Sequence, residues 1–108
     1  MIKLLIAGLT RLTSGAGYTA LGHKAAQYNT GGNYNTALGW KAGLYNATGD
    51  QNTYVGYLAG SGASGQNNSS NTAVGKDAMR VNTTGYYNSA YGYQALESNT
   101  TGLSNTAI

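Results

Sequence analysis

Residues 35–51 read NTALGWKAGLYNATGDQ, and the chain then starts again with NTYVGYLA (52–59). The same opening returns as YTALGHKA (18–25), NTAVGKDA (71–78) and NSAYGYQA (88–95), and a sixth copy begins at Asn105 and stops at Ile108. The starts lie 17 residues apart, except for one interval of 19 that contains the Gly-Ser stretch Gly60–Ser70. A short fixed period means one unit stacked on itself, so the sequence predicts a solenoid rather than a globule.

Each copy is numbered from offset 0 at Tyr18, Asn35, Asn52, Asn71, Asn88 and Asn105. Offset 1 is Thr19, Thr36, Thr53, Thr72, Ser89 and Thr106, and offset 3 is Leu21, Leu38, Val55, Val74, Tyr91 and Ile108. Offset 2 is Ala except for Tyr54. Strand side chains alternate, so offsets 1 and 3 share one face and offset 2 takes the other. The larger apolar residues lead us to expect offset 3 inside the coil and the Ala surface packed against other chains. Gly22, Gly39, Gly56, Gly75 and Gly92 fill offset 4, where a bend, a positive φ or a close backbone approach favours glycine. Ala25, Ala42, Ala59, Ala78 and Ala95 fill offset 7, a place with room for little beyond a methyl.

A second short strand or extended segment is expected over roughly offsets 5 to 9. Turn material follows: NTGG (29–32), NATG (46–49), NTTG (82–85) and NTTG (99–102). Asn and Gly tolerate left-handed turn conformations, and Thr bonds nearby backbone. The predicted fold is therefore an all-β parallel solenoid, a β-roll or β-helix of about five 17-residue coils. The two extra residues in Gly60–Ser70 should leave the stack as a mobile surface loop.

Composition agrees. Only 8% of residues are charged, and Pro, Cys and Phe are absent. A disordered chain carries more charge and fewer aromatics, and a continuous ladder has no place for Pro. The absence of cysteine excludes disulfides and thiolate metal sites. A net charge of +3 from scattered residues forms no nucleic-acid footprint. MIKLLIAGLTRL (1–12) differs from the rest, and we assign 1–17 to an N-terminal cap or linker and 18–108 to the repeats. Its apolar run Leu4–Leu9 is too short to span a membrane. The break at Ile108 implies that the last edge continues in further sequence or pairs with another chain.

Such coils bury few large side chains, so a lone chain of this size is marginal. A parallel homotrimer is the expected assembly. The repeats resemble the NTAxGxxAL…NTTG repeats of bacteriophage tail-fibre proteins, as in NSAYGYQALESNTTGLSNTAI (88–108). They are also similar in pattern to the head repeats of trimeric autotransporter adhesins (YadA-like heads). The resemblance covers 18–108. It implies a left-handed parallel β-roll with three chains side by side. The adhesin repeat is shorter, which keeps a triangular β-helix open as the alternative outline. It further implies a structural or adhesive fibre module, located in a virion tail fibre or at a cell surface, that projects a receptor-binding surface toward a host glycan or protein.

Catalysis is not expected, and neither is a cofactor or metal. Asp50, Asp77 and Glu97 sit at different offsets in different coils, and His23 has no acid beside it in the repeat pattern, so no general acid–base pair forms. GSGASGQNNSS (60–70) lacks the Gly-Lys-Ser/Thr ending of a phosphate loop. A depolymerase with a site between chains is the enzymatic rival. An ice-binding or self-assembling filament, using the Thr ladder, is the other alternative. The binding surface we single out is offset 5: His23, Trp40, Tyr57, Lys76 and Tyr93, with Lys24 and Lys41 beside the first two. Stacked coils bring these residues into one row, and aromatic rows give rigid contact area for sugars or proteins. The competing expectation is that they pack over coil edges as shielding. The offset-0 Asn residues form a second ladder, able to bond along the stack.

Overall fold

The computed structural model describes residues 14–63 and 66–108; the expected cap at 1–12 lies outside them. Six short strands form one parallel sheet: β1 (Thr19–Leu21), β2 (Thr36–Leu38), β3 (Thr53–Val55), β4 (Thr72–Val74), β5 (Ser89–Tyr91) and β6 (Thr106–Ala107). They stand in chain order, and each coil brings the backbone back one strand further along. Registers are Thr19↔Thr36, Thr36↔Thr53, Thr53↔Thr72, Thr72↔Ser89 and Ser89↔Thr106. This is an all-β parallel solenoid of about five coils, with no helix among the described residues.

The inside and outside are reversed from the sequence expectation. The offset-2 residues Ala20, Ala37, Tyr54, Ala73 and Ala90 are buried, whereas Leu21 and Tyr91 at offset 3 are 38% and 44% exposed. Leu38, Val55 and Val74 are half-buried. The Ala columns at offsets 2 and 7 are the core, joined by Ala26, Met79 and Leu96. They are not a surface for other chains. The physical reason is width. The interior must also hold two columns of asparagine, and the one large residue at offset 2, Tyr54, fits only because Gly43 and Gly60 leave it room.

Those asparagines share the inner face with offset 2. Asn35, Asn52, Asn71 and Asn88 are buried. The backbone N–H of Asn52 donates to Asn35 Oδ1 at 2.8 Å, and the N–H groups of Asn71 and Asn88 each donate at 3.0 Å to the Oδ1 of the preceding asparagine. Each Nδ2 donates to a carbonyl in the turn that closes its own repeat, as Asn35 to Gly49 O (2.7 Å) and Asn71 to Gly85 O (2.8 Å). In the second column, Asn29, Asn82 and Asn99 at offset 11 accept from the N–H of Gly32, Gly85 and Gly102, each at 3.1 Å. Most strand-ending and turn backbone groups that a narrow coil buries are thus paired without water; Asn46, at the same offset 11, differs in that its buried Oδ1 has no partner.

The glycines at offset 4 sit at the bend after each strand with φ between +121° and +130°. A Cβ on Gly22 would stand 2.7 Å from the carbonyl oxygen of Gly39 in the next coil. Gly39, Gly56 and Gly75 are as tightly placed, at 2.6–2.8 Å, whereas a Cβ on Gly92 would meet nothing nearer than 3.9 Å.

The second strand is absent. Offsets 5 to 10 form successive tight turns, such as Ala25 N–H to Gly22 O (3.2 Å) and Gln27 N–H to Lys24 O (3.3 Å). Every offset-6 residue, Lys24, Lys41, Leu58, Asp77 and Gln94, is left-handed with φ of 55–61°. Such residues cost about 1–2 kcal/mol each. The stack holds them: their N–H groups donate across coils, as Lys41 to His23 O (2.9 Å) and Leu58 to Trp40 O (3.0 Å).

Most of the described part of the 19-residue coil is wall. Ser61, Gln66 and Asn68 are buried, and Gly62 N–H donates to Arg80 O at 2.8 Å. Hydrogen bonding resumes at Ala47 N–H to Gln66 O (2.9 Å), so the extra residues fall between Gly62 and Gln66. Ala63 is exposed, and the expectation for Ser64 and Gly65 lies outside the described residues. This coil has no offset-11 asparagine. Asn68, standing where other coils have glycine, fills the gap: its Nδ2 donates to Asn82 O (3.0 Å), and its Oδ1 accepts from the Tyr54 hydroxyl (2.7 Å). The Tyr54 ring occupies space left by Gly43 and Gly60; a Cβ on Gly43 would lie 2.9 Å from it. Burial pushes the Tyr54 and Tyr18 phenols above their ordinary range.

Candidate functional site

The Gly bend turns the backbone around the end of the sheet, so offset 5 points outward in every coil. His23, Trp40, Tyr57, Lys76 and Tyr93 are all exposed, Trp40 by 38% and Tyr93 by 67%. The structure brings them into a single row. His23 and Trp40 have ring centroids 6.4 Å apart and planes 19° from parallel. Trp40 and Tyr57 are closer, at 4.8 Å and 5°. That spacing matches the distance of about 4.8 Å between adjacent strands, so the rings inherit their stacking from the backbone.

Lys76 takes the fourth place. Its Nζ lies 5.5 Å from the Tyr57 centroid and 5.1 Å from that of Tyr93, so a cation joins rings two coils apart. The Asp77 carboxylate accepts a hydrogen bond from Lys76 and thereby raises the pKa of its amine. Asp77 also lies 3.8 Å from Arg80, whose guanidinium reaches Glu97 at 2.8 Å. The Asp77 side chain is 8% exposed, so it supports this row from beneath.

At the other end Lys41 Nζ sits 4.1 Å from the Trp40 centroid. Lys24 occupies the same offset one coil earlier and is half-buried. Trp40 and Tyr57 give their faces to each other, to His23 and to lysines. Tyr93, 67% exposed, has Lys76 over its ring. A second stack, Tyr28–Tyr45 at 5.1 Å and 8°, runs along offset 10 and was not anticipated. Two tyrosines at one offset in adjacent copies were the available signal.

The outer face of the sheet is the other surface. Its two columns are Thr19, Thr36, Thr53, Thr72, Ser89 and Thr106, and Leu21, Leu38, Val55, Val74 and Tyr91. They alternate with buried residues and run the full length of the sheet.

For acid–base chemistry the described residues bring together little. His23 packs on Trp40, Asp50 Oδ1 accepts from the Asn33 backbone N–H at 2.7 Å, and Asp77 and Glu97 are held by cations. No three metal-ligating side chains cluster and no pocket opens among the described residues. No described helix is long and apolar enough to cross a membrane. No family model, curated protein or solved structure matches this chain.

Proposed function

We propose that this chain is a structural and adhesive fibre module, of the kind found in phage tail fibres and surface adhesins, that assembles as a parallel homotrimer and projects a receptor-binding edge. The observation that carries the reading is the outward Thr–Leu/Val face, continuous from β1 to β4 and followed by Ser89 and Tyr91 in β5. An exposed apolar column of this length on a small chain marks an interaction surface. A partner able to match it along its whole length needs the same axial repeat. A second copy of the chain, parallel and in register, has that repeat.

Full burial of a Leu or Val from water gives about 1.5–3 kcal/mol. Leu38, Val55 and Val74 are already half-buried, so covering the four side chains adds roughly half of that each and meets the lower end of the association cost, about 4–15 kcal/mol. Light scattering of the purified chain tests the assembly. The expected mass is three times the 11.1 kDa chain. A folded monomer at micromolar concentration contradicts it.

A second reading is supported by the same face. The Thr ladder points outward and not into the coil, which is the arrangement an ice-binding solenoid requires. Ser89 and Tyr91 interrupt its regularity in the fifth coil. Growth-inhibition of ice crystals by the wild type, lost in Thr53→Tyr, would favour this reading over the fibre.

A further inference from the structure

The aromatic row is well built for a ligand of one charge type. Sugar recognition by stacking needs an open ring face. So does sequence-tolerant binding of single-stranded nucleic acid. Here the facing surfaces of Trp40 and Tyr57 cover each other, and lysine ammonium groups lie over Trp40, Tyr57 and Tyr93. The ring edges that remain carry the positive end of the aromatic quadrupole.

The charges point the same way. Lys24 and Lys41 occupy one offset in adjacent coils, joined by the hydrogen bond from Lys41 N–H to His23 O (2.9 Å). Neither has an ion-pair partner among the described residues. Two like charges a coil apart repel, and an anion laid across them relieves this. The acids do not compete. Asp77 is buried under Lys76 and Arg80, Glu97 is engaged by Arg80, and Asp50 sits in the turn at offset 15. The row therefore offers donors and positive edges along its length, with no exposed carboxylate in it.

We propose that the edge formed by His23, Lys24, Trp40, Lys41 and Tyr57 binds an acidic glycan through its carboxylates, with Lys24 and Lys41 as the main anchors. This deepens the fibre reading and rests on it, since it gives the projected surface a ligand class. The glycan lies along the solenoid axis, its carboxylates meeting ammonium groups and ring edges rather than its sugar rings meeting aromatic faces.

The test uses the whole chain in whatever assembly light scattering finds. Three probes are titrated calorimetrically: a polygalacturonate oligomer, the same oligomer with its carboxyls reduced to alcohols, and double-stranded DNA of matched charge. The acidic oligomer should bind, and raising the salt should weaken it. Carboxyl reduction should cost about tenfold or more, the scale of hydrogen bonds to a charged group. Lys24→Gln/Lys41→Gln should lose a similar factor while keeping the wild-type circular dichroism and mass. Equal binding of the reduced oligomer overturns the proposal, as does tighter binding of DNA, unchanged affinity in the double variant, or no binding to any probe. A trimer that ignores the oligomer sinks this inference alone. A monomer that binds it sinks only the trimeric fibre.

Discussion

The two faces of the same three-residue strands are held to different standards. The inner face carries Ala20, Ala37, Tyr54, Ala73 and Ala90, at most 8% exposed, with asparagine ladders beside them. The outer face carries Thr, Leu and Val, bulkier than alanine and in the case of Leu and Val more hydrophobic, yet half-buried or exposed. Hydrophobicity did not decide which face is inside. Fit did: the interior of a coil this narrow is filled by alanine methyls and two asparagine columns, and takes a larger group only where a neighbour gives up volume, as Gly43 and Gly60 do for Tyr54. The outer residues then have apolar surface to spare for a partner.

The largest effect that separates the faces should come from charge on the inner one. Ala73→Asp places a carboxylate where no partner reaches it and should remove several kcal/mol, enough to unfold a domain of ordinary stability. Circular dichroism and thermal melting check this. If the variant melts like the wild type, the inner column is solvated and the burial pattern is wrong.

A slightly smaller loss is expected from Asn52→Ala. Asn52 Oδ1 accepts from Asn71 N–H at 3.0 Å, and its Nδ2 donates to Asn68 O at 2.8 Å. Both become unsatisfied in the interior, at about 1–3 kcal/mol each. Denaturant midpoints should fall accordingly. Asn67→Ala, one residue from the replaced glycine position and exposed, should change stability by less than about 0.5 kcal/mol.

The 19-residue coil sharpens the comparison further, because it builds the same interior from different parts. Tyr54→Phe keeps the ring between Gly43 and Gly60 but leaves Asn68 Oδ1 without its 2.7 Å donor, at a cost of about 1–3 kcal/mol. The phenol also sets a pH signature. Its pKa is raised in the folded chain, so its contribution is whole below the unfolded value of about 10 and is lost as pH rises through the folded one. Each such phenol should lower stability by about 1.4 kcal/mol per pH unit in that range. Melting temperatures between neutral and strongly alkaline pH measure the slope, and Tyr54→Phe should flatten it. Identical slopes would show that Tyr54 is not the buried acid.

Much of this was readable in the chain. The period placed all six strands, the Gly column placed the bends, and the Asn-Thr-Gly runs placed the turns. The face assignment was not, because the usual rule of apolar-inside favours Leu21 and Val55 over Ala20 and Ala73. A clue was present in Tyr54. The one large residue at offset 2 coincides with Gly43 and Gly60 at offset 8, where other coils have Ala26, Met79 and Leu96. Such an exchange of volume is expected only between residues that meet. The left-handed turns were hidden for a different reason. Lys41, Leu58 and Met79 have no local preference for φ near 55°, and hydrogen bonds to neighbouring coils hold them there, as Leu58 N–H to Trp40 O and Met79 N–H to Ala95 O. The row at offset 5 was visible as a column. That its rings would cover each other's faces required the stack itself.

The central claim is that offset 3 faces out and serves assembly. It is tested most directly by Val55→Asp and Val74→Asp, prepared singly and compared with the wild type by circular dichroism and light scattering. The account predicts wild-type secondary structure, a melting temperature within a few degrees for the isolated chain, and conversion from trimer to monomer. Loss of folded structure in both variants would place these side chains inside the coil and contradict the account, and a folded, undiminished trimer would remove this face from the interface.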